Sequence, residues 1–222
     1  MLFIIDFDGT IAPTDTVDAF LERFADPDWR RIEELWATGQ IGSRECMTSQ
    51  LALVDGDRGA LEDFLESVTI DPGFPAFVEF VRPFAEVAVV SDGIDYPIRH
   101  ALREIDIPVY ANWLQFLARG VGISFPYANA ECTVNSGVCK CAVARAFDGG
   151  RGLSTVLIGD GQSDRCVAHL AERVFAKGSL RRYCEAQNIA HTPFDTFDDV
   201  LTVVREWDEF REDEAPERSR AS

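Results

Sequence analysis

The sequence predicts an α/β protein built on a doubly wound, mostly parallel, Rossmann-like sheet with a small helical subdomain inserted after the first strand. Three observations carry this expectation. Short apolar runs of the kind that become buried parallel strands recur along the chain and alternate with stretches of helical spacing. Three of these runs end in similar polar clusters: DFDGT at Asp6–Thr10, SDG at Ser91–Gly93, and GDGQSD at Gly159–Asp164. Helical spacing also fills residues 14 to 72, far more chain than one crossover helix requires.

The elements follow in order. Leu2, Phe3, Ile4 and Ile5 form the first strand. Val17, Phe20, Leu21 and Phe24 then fall at i, i+3, i+4 and i+7, with Thr14 or Asp15 placed to cap that helix. Ile32, Leu35 and Trp36 suggest a second helix, and Leu61, Phe64, Leu65 and Val68 a further one. Asp71-Pro72-Gly73 is the return point. A helix through Phe74, Phe77, Val78 and Val81 leads to the strand Val87 to Val90. Ile98 to Leu102 reads as helical, Val109 and Tyr110 as a short strand, and Trp113 to Phe125 as an antiparallel pair turning near Arg119-Gly120. Lys140 opens a helix closed by Gly149-Gly150. Thr155 to Ile158 is a strand, Val174 to Ala176 another, and helices near Leu180–Ala186 and Phe197–Trp207 complete the pattern. The predicted organisation is a core of residues 1–13 and 73–210, a helical subdomain at 14–72, and a polar, disordered tail at 211–222.

Composition narrows the partners. The chain has 222 residues, is 46% hydrophobic and carries a formal charge of −17. That charge disfavours nucleic acid and anionic membranes, and no apolar run approaches a membrane span. A soluble, cytoplasmic protein, monomeric or a homodimer, is expected. Six cysteines, with Cys132, Cys139 and Cys141 close together, lack the pairing and the nearby histidine of a zinc site, so reduced thiols are expected. His100, His169 and His191 are scattered without ligand spacing.

The strand-end clusters suggest the chemistry. In an extended chain Asp6 and Asp8 share a face while Phe7 turns away. Two carboxylates so placed either repel or hold a cation. Each cluster alone has an ordinary explanation as a turn or a helix cap. Jointly, at the carboxyl ends of strands where such sheets bind ligands, they specify a site. Asp6, Asp8 and Asp160 make an acidic cradle for a hard cation. Ser91, Asp92 and the amides after them, with Thr10 and with Lys140 at a helix start, are candidates for holding phosphate.

The order DxDGT, a serine after the second strand, a lysine and GDGxSD resembles the haloacid dehalogenase superfamily of phosphatases. The helical insertion resembles its first cap class, in the phosphoserine-phosphatase-like branch. The stretches DFDGTIAPTDT, ADPDW and VFAKGSL resemble the methionine-salvage members of that branch. The resemblance implies a small-molecule phosphate ester as substrate and Mg²⁺ as cofactor. It implies Asp6 as nucleophile forming an aspartyl-phosphate and Asp8 as acid and then base. It implies metal held by Asp6, the Asp8 backbone carbonyl and Asp160 with Asp164 in support, and phosphoryl oxygens clamped by Ser91 and Lys140. Asp15 and Arg44 are the nearest counterparts of the cap residues that read phosphoserine, and Arg44 is not well aligned with the expected arginine. Phe20, Trp29, Trp36 and Met47 suit either an apolar pocket lining or the core of the cap. Phosphoserine, phosphocholine or pyridoxal phosphate esters, phosphotransfer to another alcohol, and a non-catalytic binding protein on the same fold stay open as alternatives.

Overall fold

A computed structural model describes residues 1–55, 58–132 and 134–210, with the side chains of 58 and 59 excepted. The predicted tail at 211–222 lies outside the described residues. No described helix is long and apolar enough to cross a membrane.

Among the described residues seven strands form one sheet: β1 (Leu2–Ile5), β2 (Glu86–Ile94), β3 (Val109–Phe116), β4 (Val121–Ser124), β5 (Thr155–Gly159), β6 (Arg173–Ala176) and β7 (Thr192–Pro193). Their order is β4-β3-β2-β1-β5-β6-β7. Every neighbouring pair is parallel except β3 with β4. β1 lies in the middle because all four of its residues are apolar and none is exposed to solvent. Their alternation sorts the core into two layers. Phe3 and Ile5 face a cluster with helices α5 (Phe74–Val81) and α10 (Phe197–Val204), where Phe77 meets Phe3 edge-on at 5.4 Å. Leu2 and Ile4 face the opposite cluster, filled from α7 (Lys140–Asp148), α8 (Arg165–Ala168) and α9 (Gly178–Gln187).

Between β1 and α5 the described residues form four helices, α1 (Thr16–Phe24), α2 (Trp29–Ala37), α3 (Ser43–Leu51) and α4 (Arg58–Ser67). Their apolar faces make a third cluster around Phe20, Leu21, Trp29, Met47 and Leu65, which also takes in Ile94 of β2 and packs on Leu114, Val121 and Ile123 of β3 and β4. Asp15 caps α1, accepting from the Val17 and Asp18 amides.

Several elements differ from the sequence expectation. β2 continues through Ser91-Asp92-Gly93 to Ile94 instead of ending before them, with an irregular register against β3 after Val90. Val109 and Trp113 belong to one eight-residue strand, parallel to β2 at its start and antiparallel to β4 at its end. α6 (Asp95–Ala101) begins directly on β2. β7 is two residues long and carries no strand pattern of its own, so periodicity could not find it.

Phe77 is fully buried between Phe3 and Phe197. We expect Phe77→Ala to lower stability by about 3–5 kcal/mol, measured by urea unfolding, because the sheet beneath it cannot collapse into the space left.

Candidate active site

The first strand and the turn after it position two acids. The Asp6 amide donates to the Ile158 carbonyl at 2.9 Å, so the sheet ladder extends one residue beyond β1 and fixes Asp6 rigidly. Phe7 turns into the core, and its amide donates to Asp6 Oδ1 at 2.8 Å. The Phe7 carbonyl accepts from the amides of Thr10 and Ala12, closing a tight loop in which Gly9 takes a φ of +69°. A side chain at Gly9 would also strike Asp160, since its Cβ would stand 2.4 Å from Asp160 Oδ2. The loop returns Asp8 to the same end of the sheet. Asp8 Oδ1 accepts from the Thr16 amide at 2.8 Å and the Thr16 hydroxyl at 2.6 Å, while Oδ2 is buried without a hydrogen-bond partner. Gly93 lies against that oxygen: a Cβ there would stand 2.2 Å from it.

The third cluster closes the other side. Asp164 has no exposed surface, and its Oδ2 accepts from the amides of Asp160 and Gly161 at 3.1 and 3.0 Å. Its Oδ1 accepts from Lys140 Nζ. Lys140, the first residue of α7 and fully buried, also pairs with Asp6 Oδ2 at 2.7 Å. The Thr10 hydroxyl donates to Asp160 Oδ1 at 2.9 Å. Asp6, Asp160 and Asp164 each bring a carboxylate oxygen within 4.8 Å of the others. This crowding, with one buried cation for three acids and an all-oxygen donor set, fits a hard divalent cation.

Burial raises all three acids, and their partners differ. Burial, Asp164 and Asp160 push the Asp6 carboxyl well above the usual carboxylate range, opposed by Lys140. Burial, and then the charge of Asp15, raise Asp8 to about 7 against the two Thr16 hydrogen bonds. Burial and Asp164 raise Asp160 to about 6. For Lys140, burial alone would depress the ammonium, but Asp164 and Asp6 outweigh it and hold Lys140 above its ordinary value.

A cavity of about 170 Å³ opens over these residues. Asp6, Asp8, Ser91, Asp92 and Asp160 form its core side, and Asp15, Asp18, Glu33, Trp36, Cys46, Met47 and Gln50 its helical side. Of the residues singled out from sequence, Asp6, Asp8, Asp15, Ser91, Asp92 and Asp160 line it, and Lys140 and Asp164 stand directly behind. Trp36 and Met47 face the cavity, whereas Phe20 and Trp29 serve the core of the helical insert. The Ser91 hydroxyl accepts from the Gly93 amide at 2.9 Å, which leaves its proton available.

Some expectations are corrected. Asp92 does not present a phosphate donor: Oδ2 accepts from Ser43 Oγ at 2.7 Å and Oδ1 from the Val138 amide at 2.9 Å. The Thr10 hydroxyl is committed to Asp160. The Asp8 carboxylate is not part of the close trio, which leaves only its backbone carbonyl for the metal role that the resemblance implies, and both Asp164 oxygens accept from protein donors. Arg44 does not line the cavity; it donates to Asn135 Oδ1 at 2.5 Å. Thr16, Glu33, Gln50 and Lys177 were missed. Lys177 donates to the Thr10 and Asp195 carbonyls at 3.3 Å, beside the Asp160 loop. Thr16 had a local signal, being one residue past the Asp15 cap. Glu33, whose Oε2 accepts from Gln50 Nε2 at 2.9 Å, had none. The six cysteines are free thiols, with Cys141 and Cys166 sulfurs 3.2 Å apart.

Comparison with known proteins agrees with this geometry. The model of the haloacid dehalogenase-like hydrolases matches residues 3–169. The 2-hydroxy-3-keto-5-methylthiopentenyl-1-phosphate phosphatase of Brevibacillus brevis is 31% identical over 93% of this chain and 96% of the relative. The protein of the same name from Geobacillus kaustophilus is 31% identical over 92% and 96%. Among solved structures, a phospho-aspartyl intermediate analogue of phosphoserine phosphatase superposes with a TM-score of 0.70 at 18% identity, covering 91% of this chain and 97% of the other, and shares the fold. With a family model spanning most of its length and relatives of this similarity, the chain belongs to the haloacid dehalogenase-like hydrolases.

Proposed function

We propose that the protein hydrolyses a small-molecule phosphate monoester through an aspartyl-phosphate on Asp6. The observation that carries this reading is the contrast between two acids on one strand end. Asp6 is held against the Lys140 cation, and Asp8, raised to about 7, lines the cavity with one carboxylate oxygen bonded to Thr16 and the other free of any hydrogen bond. A nucleophile and a proton donor side by side are what phosphoryl transfer to a carboxylate needs.

In this mechanism the Asp6 carboxylate attacks phosphorus while the ester oxygen departs with the Asp8 proton. Asp8, now ionised, takes a proton from water, which attacks the aspartyl-phosphate and releases inorganic phosphate with Asp6 restored. Ser91 donates its hydroxyl to a phosphoryl oxygen, and the Lys140 charge offsets the charge that the phosphate brings. Mg²⁺ would be held by Asp6, Asp160 and the Asp8 backbone carbonyl, with Asp164 fixing the Asp160 loop; it supplies positive charge to the phosphoryl group. Residues 14–72 act as a cap that excludes water during attack and admits it for hydrolysis.

For the substrate we propose 2-hydroxy-3-keto-5-methylthiopentenyl-1-phosphate. The curated relatives that carry this name support it, as does the helical wall. That wall offers Trp36, Cys46 and Met47 to a thioether and Glu33 to a hydroxyl, and among the described residues no lysine or arginine lines it. The carboxylate of phosphoserine would face Asp15, Asp18 and Glu33 with no cation among the described lining residues to offset them, a cost of several kcal/mol.

Phosphate release from a panel of this ester, phosphoserine, phosphocholine and pyridoxal phosphate tests the assignment. We expect the methylthio ester to lead by tenfold or more in kcat/KM, and Asp6→Asn to lower kcat by at least about 10³-fold. Phosphoserine in the lead would sink the substrate, and turnover unaffected by Asp6→Asn would sink the mechanism.

A second expectation concerns pH. Asp8 and Asp160 bind protons more tightly folded than unfolded, where carboxylates titrate near 4. Their stabilising protonation is therefore complete at low pH and lost as pH climbs through about 6 and about 7. Without divalent cation, the melting temperature should fall by about 5 °C between pH 5.5 and 8, and saturating Mg²⁺ should restore most of it at pH 8. A metal-free melting temperature that rises over this interval would contradict the electrostatic reading.

A further inference from the structure

The start of α3 rests on the core as well as on α2. A Cβ at Gly42 would stand 2.1 Å from Asn135 Nδ2, so backbone and core are in contact there. Ser43 Oγ donates to Asp92 Oδ2 at 2.7 Å, and Arg44 donates to Asn135 at 2.5 Å. One turn further, Met47 Sδ lies 3.6 Å from Asn112 Nδ2. Asp92 gathers these segments. Besides Ser43, its carboxylate accepts from the Val138 amide at 2.9 Å and from Asn112 Nδ2 at 3.3 Å, and its carbonyl accepts from the same Asn112 amide at 2.7 Å. Asn112 is fully buried on β3, and Val138 stands two residues before Lys140.

We propose that Asp92 is a positioning residue that couples the seating of the helical insert to the loop that delivers Lys140, with the Ser43–Asp92 hydrogen bond as the part that releases. The two halves of its bonding differ in access. Ser43 and Asp92 meet at the cavity wall, where water can take Ser43's place on Oδ2. Val138 is completely buried, and Asn112 is sealed beneath Asp92, so their bonds have no such substitute. At Asp92, lifting the insert therefore exchanges the Ser43 hydrogen bond and leaves the core side of the carboxylate intact. When the insert returns, the same carboxylate that fixes the Lys140 loop and the strand bearing Ser91 fixes α3. The roof of the cavity and its phosphate-facing floor are aligned through one anion.

The kinetic part of the test rests on the phosphatase reading; the exchange part does not. Amide hydrogen exchange and steady-state hydrolysis of p-nitrophenyl phosphate with Mg²⁺ would be measured on the full chain and on Ser43→Ala, Ser43→Thr, Asp92→Ala and the double alanine variant. Ser43→Ala should speed exchange in α1 to α3 about tenfold, the worth of one hydrogen bond to a charged group, while β1 and β5 keep their protection. It should also raise KM by more than it lowers kcat, and Ser43→Thr, which keeps the hydroxyl, should restore both. In the Asp92→Ala background, Ser43→Ala should add nothing. Unchanged exchange in α1 to α3, or additive effects of the two substitutions, would overturn the coupling. A fall in kcat at constant KM together with a lower melting temperature would assign Ser43 a merely structural role and overturn it as well. Absence of any turnover would count against the phosphatase reading alone, since exchange still decides the coupling.

Discussion

One buried cation organises the acidic end of this sheet. Lys140 has no exposed surface and lies between Asp6 and Asp164, in a chain that carries a formal charge of −17. An ammonium removed from water is stable there only because two carboxylates face it, and those carboxylates can approach one another only because it is there. The arrangement joins three separate parts of the chain. Asp6 comes from the end of β1, Asp164 from the turn after β5 and Lys140 from the first turn of α7. Once they are locked together, the GDGQSD loop is shaped by Asp164 accepting the Asp160 and Gly161 amides, and Asp160 is turned toward Asp6.

The same ion pair divides labour between two acids that the sequence places only two residues apart. Asp6 is tied to the cation and to the Phe7 amide. Asp8 is pulled off the strand line by the Gly9 turn and held by Thr16, a residue of the helical insert. In the proposed mechanism, a carboxyl kept protonatable near neutral pH beside one kept near a positive charge lets a single strand end both attack and protonate. Thr16 ties the first helical turn of the insert to Asp8.

Much of this was legible in the sequence, and the reasons are physical. The strands that carry the acids are continuous apolar runs, and the polar residues follow at fixed offsets because the turn geometry demands them. DFDGT, the lysine at the α7 start and GDGQSD are therefore local signals. Less legible were residues whose roles depend on distant partners. Asp92 reads like a wall of the phosphate site but spends its oxygens on Ser43 and Val138, 49 and 46 residues away in sequence. Thr10 reads as a phosphate contact but donates to Asp160, 150 residues on. Arg44 had the right charge for reading a carboxylate, yet α3 turns it toward Asn135. The continuous β3 was split in two by the sequence reading because its first half alternates for a parallel neighbour and its second half for an antiparallel one.

That shared strand has a mechanical consequence. Its first half is hydrogen-bonded to β2 in the parallel core, and its second half, with β4, forms the apolar floor under the helices. A floor made of the same rigid strand as the core cannot tilt by itself. In the opening proposed above, entry to the cavity comes from the roof, which hangs on two connectors. These meet where the Asp71 amide donates to the Ile11 carbonyl at 2.8 Å. The clamp therefore has one fixed jaw and one paired hinge. Changes in the length or bulk of the helices reshape what fits between the jaws and leave the acids of the fixed jaw in register.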